Sequence, residues 1–383
     1  MKKLLLTATA VWLSAVCAIS QSNTSTVNST GNNNTATVTQ TGNLNNSDIT
    51  QIGDWNLAVA SQNGVSNNAS QTQIGNANSA TVSQTGSFND ASQTQQGNNN
   101  WAQATQDGSS NSAYQSQIGT GNGANIGQIG DYNLSNQTQQ GFGNYAGATL
   151  WGTQNVSNQS QFGDMNQSFT HLHGNNNNSN QYQGGNYNIA YVNTHGDNNV
   201  ANQRQQGDNN IAEAIQSGNN NTSHQQQNYN GGNIFPGSNN QAYSAQFGNF
   251  NWQWQLQRGS DNSASTFASG NNNRSVQLTF GNNNSSNVSQ YGNDNIADQL
   301  QGITGSYLTG YNWGSASDDN TADVAQNGDG NIALQVQGGF SHSATTFQLG
   351  SSNSAITNQN GNGHISTISQ IGNGNIATVT QSN

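Results

Sequence analysis

Polar and apolar positions along this chain return every eleven residues. The run Gly53-Asp54-Trp55-Asn56-Leu57-Ala58-Val59-Ala60-Ser61-Gln62-Asn63 is followed at once by Gly64 and the same order again. Reduced to what recurs, the phrase is Gly-x-x-Asn-x-Ala-x-x-x-Gln-x, and a fixed period of this kind predicts a repeat architecture. The glycines Gly53, Gly64, Gly75 and Gly86 open successive units. The series runs from Gly31 to Gly218, from Gly237 to Gly292 and from Gly328 to Gly372, and units opening at Ser20 and Ser317 bring the total to 31.

Numbering each unit from its glycine as offset 0, offset 3 is Asn in 29 of 31 units, offset 5 is Ala or Ser in 30, and offset 9 is Gln in 25. These positions are two apart, the spacing of a strand with one face specified. Offsets 0 to 2, often Gly-Asn-Asn or Gly-Asp-Asn, carry turn chemistry, since Gly takes positive φ freely and Asn tolerates it best among the rest. Each unit is therefore expected to be a strand of about seven residues and a tight corner. The charges test the parity, because a thin core cannot hold an unpaired charge. All 16 acids and the three arginines avoid offsets 3, 5, 7 and 9, and the tryptophans Trp55, Trp101, Trp151, Trp252 and Trp254 avoid them too. The inner face is then small and amide-lined, with the large aromatics outside.

Offset 7 adds a second period. Gln71, Gln93, Gln115 and Gln137 occupy it in alternate units, while the units between carry Val82, Ala104, Ile126 and Ala148. The full repeat is 22 residues, two non-equivalent strands per turn. This predicts an all-β, two-sheet β-solenoid of about fifteen and a half turns (strand, corner, strand, corner) with cross-β stacking of amyloid type. Residues 22 apart lie over one another at ~4.8 Å. Stacked rows follow: Asn56, Asn78 and Asn100; Ala58 and Ala80; Gln71, Gln93, Gln115 and Gln137; Gln73, Gln95, Gln117 and Gln139. Each amide can donate to the one above and accept from the one below. Two insertions, residues 229–236 and 303–316, each follow a Gln-type unit and precede the other type, so both are expected as loops on one edge.

With 30% apolar and 5% charged residues, 45 glycines and one proline, 383 residues do not fit an ordinary globular core. Disordered chains are usually charged and proline-rich, and this one is neither. Residues 1–20 read as a secretory signal peptide (Lys2, Lys3, an apolar run from Leu4 to Val16, small residues at Ala18 and Ser20), leaving the solenoid in residues 20–383. Cys17, the only cysteine, lies in that leader; a lipoprotein reading of it is weak because bulky Val16 precedes it. Without Lys2 and Lys3, 3 basic and 16 acidic residues leave a net charge of −13, which argues against nucleic acid or an anionic membrane as partner. No other run could span a membrane.

No catalytic constellation stands out, so the chain is not expected to be an enzyme, and no cofactor or metal is expected. His173 and His195 are 22 apart with His171 nearby; solvated histidines on neighbouring turns is the preferred reading over a surface metal site. His342 and His364 occupy the Asn position and are expected to substitute for it.

The phrase Gln73-Ile74-Gly75-Asn76-Ala77-Asn78-Ser79-Ala80-Thr81-Val82-Ser83-Gln84 resembles the repeat of curlins, the subunits of curli fibres, and the likeness covers roughly Ser20 to Asn383. It implies a secreted subunit that crosses the outer membrane through a dedicated channel, meets accessory chaperones and a nucleator at the cell surface, and polymerises with itself as a functional amyloid of the biofilm matrix, mediating surface adhesion and cell aggregation. Curlins have fewer repeats and a separate N-terminal export segment; here Asn23, Ser25 and Val27 already fall on repeat positions. The alternative is a monomeric secreted solenoid that binds a ligand, as an adhesin or on ice. A flat ice-binding array needs one residue type at fixed outward offsets, whereas offsets 4, 6 and 8 run Thr35, Thr37, Thr39 in one unit and Trp101, Gln103, Thr105 in another.

Repeat units run to the expected cleavage site at one end and to Gln381 at the other, so open strand edges are expected to recruit another copy. At offset 7 the first three units carry Val27, Val38 and Ile49, and the last three carry Thr357, Ile368 and Val379. The first and last strands are expected to pair between subunits, with Val27 and Val379 packed in the joint.

Overall fold

The computed structural model describes residues 22–230, 233–234, 237–302 and 317–383. The expected leader at 1–20, the insertion at 303–316 and parts of the insertion at 229–236, Pro236 among them, lie outside the described residues.

The chain coils as alternate strands of two parallel sheets, one of 16 strands (the long sheet) and one of 15 (the short sheet), and the described residues contain no helix. At two strands to a turn this is about fifteen and a half turns of a β-solenoid. Most strands start at offset 4 and run seven residues, as in Asn68–Ile74, or nine, as in Leu57–Val65. Each pairs in parallel with the strand one turn on, residue on residue 22 apart: Ala58 with Ala80, and Gln71 with Gln93. The Gln-type units make the long sheet and the others the short one, so the 22-residue alternation is a partition between sheets.

The insertions do not disturb this register. Gln225 pairs with Gln255 across the first and Gln299 with Gln335 across the second. Each insertion follows a long-sheet strand (Thr222–Gln227, Ile296–Gln301) and precedes a short-sheet strand (Gln241–Phe247, Thr321–Asn327). Within the first, Tyr229–Asn230 pairs antiparallel with Asn233–Ile234.

The interior between the sheets is thin. Alanines such as Ala58, Ala69 and Ala91 are fully buried, and alkyl side chains at Ile49, Val82, Ile126, Leu150, Leu172 and Val192 form one core cluster with them. Parity alone would put Leu256, Leu278, Leu300 and Val276 on the open outer face, and here the structure departs from it: all four are buried. They sit at even offsets of consecutive long-sheet strands, so Leu256 stacks on Leu278 and Leu278 on Leu300. Trp252, Trp254, Phe280, Leu334 and Val336 pack around them. Stacking in register, together with the flanking tryptophans, buries these residues on an outward face, whereas Ile52 on Ile74, also stacked at one outward offset, stays exposed. Beside this cluster Asp298, itself buried, takes the Arg274 guanidinium at 2.8 Å.

The corners explain the glycines. Gly53 has φ +116°, and a Cβ there would lie 2.1 Å from the carbonyl oxygen of Gly75 one turn away, so no other residue fits without moving backbone. Offset 2 is left-handed as well, and Asn33 and Asn99 suit it. Trp55, Phe88, Tyr132 and Met165 take the same conformation with their side chains in solvent.

Candidate self-assembly site

The inward amides form continuous ladders along the axis. Gln73 donates one Nε2 hydrogen to Gln95 Oε1 at 3.0 Å and the other across the core to the Leu57 carbonyl at 2.9 Å. Gln71 does the same with Gln93 Oε1 and the Val59 carbonyl. The rows continue from Gln93 to Gln115 and Gln137, and from Gln95 to Gln117 and Gln139, at 2.8–3.0 Å. The stacking direction was legible in the sequence. The second hydrogen was not: it ties the two sheets together, so each Gln both propagates the stack and closes the core.

Asn at offset 3 closes the corners. The Asn78 backbone N–H donates to Asn56 Oδ1 at 3.1 Å, and the Asn100 N–H to Asn78 Oδ1 at 3.1 Å. The Asn56 and Asn78 Nδ2 groups donate to the carbonyls of Gly75 and Gly97, the corner glycines one turn on. All three asparagines are buried, and every hydrogen-bonding group named here points along or across the coil.

A third ladder at offset 1 was missed. The Asn32 N–H donates to Asp54 Oδ1 at 2.7 Å, the Asp54 N–H to Asn76 Oδ1 and the Asn76 N–H to Asn98 Oδ1, both at 2.9 Å. Its signal was the recurrence of Asn and Asp at one corner position, which reads equally well as turn preference.

His342 replaces Asn in its ladder by presenting a ring nitrogen where Oδ1 would be. Its Nδ1 accepts the His364 N–H at 3.2 Å, its Nε2 lies 3.2 Å from the Gly338 carbonyl, and its own N–H donates to Asn320 Oδ1. This is the neutral imidazole with the proton on Nε2. Burial pushes its pKa down, and the neighbouring His364, stacked at 5.2 Å, adds to that.

Where a row changes residue type, polar groups are left over. Gln71 stacks on Ile49 and Gln290 on Ala268, and neither Oε1 finds a donor in the protein. At the ends, Val27 is 46% exposed, Val379 and Val38 are half-buried and Ile368 is buried. Within one chain Val27 and Val379 are not brought together: they lie in the two outermost strands of the long sheet, Thr24–Thr30 and Ile376–Ser382.

On the outer face of the short sheet, Trp151, His171, His173, Tyr191 and His195 line a shallow groove of about 400 Å³. The His173 and His195 rings meet edge-on at 5.4 Å, while His171 turns to Tyr191 and burial lowers its pKa. Among the described residues no group of three or more His, Cys, Asp or Glu is arranged to hold a metal ion. Nor is any helix of the described residues long and apolar enough to cross a membrane.

The family model described as the curlin associated repeat matches residues 350–382, which include the last two strands of the long sheet and the last of the short sheet. The chain is similar to curlins in that segment, and its repeat and fold fit a curli-type structural protein. No curated protein matches the chain.

Proposed function

We propose that the protein is a secreted structural subunit that self-assembles head to tail into extracellular, curli-like amyloid fibres of a biofilm matrix, where it mediates adhesion and cell aggregation. The observation that carries this reading is the coil itself: along most of its length like side chains stack in parallel register one turn on, so the open strand edge at either end offers a second copy the pairing that each turn offers the next. An export channel, a nucleator and accessory chaperones are the partners the resemblance implies, and the chain is read as carrying no reaction. The deciding experiment dilutes mature protein, residues 21–383, from denaturant without any partner. Dye-binding fibres with a meridional reflection near 4.8 Å are expected. A folded monomer that stays monomeric overturns the proposal in favour of a solenoid that binds a ligand.

A further inference from the structure

Strand parity restricts how two copies can join. The long sheet begins with Thr24–Thr30 and ends with Ile376–Ser382; the short sheet begins with Thr35–Asn43 and ends with Ile365–Ile371. Stacking a second copy without rotation lays its Thr24–Thr30 on Ile376–Ser382. The short sheet then lacks a strand between Ile365–Ile371 and the next copy's Thr35–Asn43, because each copy contributes one strand fewer to it.

Resting on the head-to-tail reading above, we infer that successive copies are related by half a turn about the fibre axis, so that the long sheet of one continues as the short sheet of the next. The next copy's Thr24–Thr30 then lies on Ile365–Ile371, and its Thr35–Asn43 on Ile376–Ser382. No strand is missing and the coil runs on unbroken.

The residues at this joint match. Continuing the 22-residue register sets Ala377, Thr378, Val379, Thr380 and Gln381 on Ala36, Thr37, Val38, Thr39 and Gln40, five identities in succession. At the second seam Ser366 meets Ser25, Thr367 meets Thr26 and Ile368 meets Val27. Hydrogen-bonding capacity agrees. Gln381 Nε2 donates to the Ile365 carbonyl and has a second hydrogen to give, while Gln40 uses its Nε2 on Gln62 and Thr24 and leaves its Oε1 to accept. In the unrotated stack Gln381 would meet Ser29 instead. The Asn34 N–H likewise falls on Asn375 Oδ1, as each Asn N–H does one turn along.

The half-turn also accounts for offset 7. It sets long-sheet strands against the short-sheet strands that carry Val38 and Ile368 at this offset, and a Gln there would face one of them with its amide unpaired. Val27 and Val379 occupy those places and meet alkyl groups, facing one another across the core in consecutive strands.

Cysteine pairs distinguish the two joints, since Cys17 is the chain's only cysteine and lies in the expected leader. Thr39, Thr380 and Asn28 are exposed and outward. Thr380 meets Thr39 of the next copy in the half-turn joint and Asn28 in the unrotated one, at a parallel-strand separation of ~4.8 Å, within disulfide reach. Fibres of Thr39→Cys/Thr380→Cys, grown reduced and then oxidised, should dissolve into disulfide-linked multimers, and those of Asn28→Cys/Thr380→Cys into monomers. The reverse result, or no cross-link in either, overturns the half-turn joint. Helical reconstruction of unsubstituted fibres provides the second measurement: beyond the sheet twist, successive copies should differ by half a turn and the axial repeat should be two copies, ~150 Å at ~4.8 Å per turn. A one-copy repeat of ~75 Å overturns the joint while leaving head-to-tail assembly standing, whereas an unsubstituted chain that forms no fibres defeats the underlying reading.

Discussion

At the scale of residues, the chain stands on inward amides that are useful only in company. Gln139 accepts from Gln117, donates to Gln161 and crosses the core to the Gly123 carbonyl. Gln139→Leu should leave three groups without partners at about 1–3 kcal/mol each before relaxation, and a lower denaturant midpoint would show it. Thr138→Val, on the outer face, should change little. Leu150 and Leu172 already stack as neighbours in a Gln position of the short sheet and are fully buried, so the cost lies at the junction between residue types. Gln139→Leu and Gln161→Leu together should therefore cost less than the sum of the two alone; additive losses would show that each amide acts independently. The corners give a second contrast. Gly53→Ala should destabilise by at least ~1–3 kcal/mol, since its Cβ would strike the Gly75 carbonyl. Gly374→Asn should be near neutral, because φ there is +68° and a Cβ meets nothing within 4 Å.

At the scale of one strand and its neighbours, His342 makes the fold sensitive to pH. Its pKa lies below the ordinary 6.5, so the folded state binds a proton less readily than the unfolded one. Stability is then full above pH 6.5 and falls as the pH drops below it, until the folded-state pKa is passed. Protonating Nδ1 would also remove the acceptor for the His364 N–H. His342→Asn should shrink the difference between denaturant midpoints at pH 7.5 and pH 5 without abolishing it, because burial also lowers the pKa of His171 and His224. An unchanged difference would mean that His342 is not the responsive group.

For the whole molecule, a uniform coil concentrates vulnerability at its ends. An interior strand is held on both sides, whereas Ile376–Ser382 has one neighbour among the described strands. Val379→Lys should leave the circular dichroism of a β-solenoid intact and stop seeded growth at that end, because assembly would bury an unpaired ammonium between the sheets. Normal elongation of this variant would show that the fibre is built on another surface.

The 22-residue turn, the inner face and the partition of Gln71, Gln93 and Gln115 into one sheet can all be read from the sequence alone. The reason is that each strand pairs residue on residue with the strand one turn on, 22 positions along except across the insertions, so that a strand neighbour is written as a period. The sequence also marked His342 as a stand-in for Asn, since the ladder position is defined by its neighbours. Only the tertiary structure decided what lies against each face. The second Gln hydrogen finds a carbonyl of the opposite sheet, which no single strand contains. Leu256, Leu278 and Leu300 bury one another on a face that alternation marks as open. Trp55 and Phe88 adopt a left-handed corner that composition would reserve for Asn, because the solenoid holds the backbone there and leaves the side chain in water. Parity states which way a residue points, and the stacked coil decides whether solvent or another side chain is waiting there.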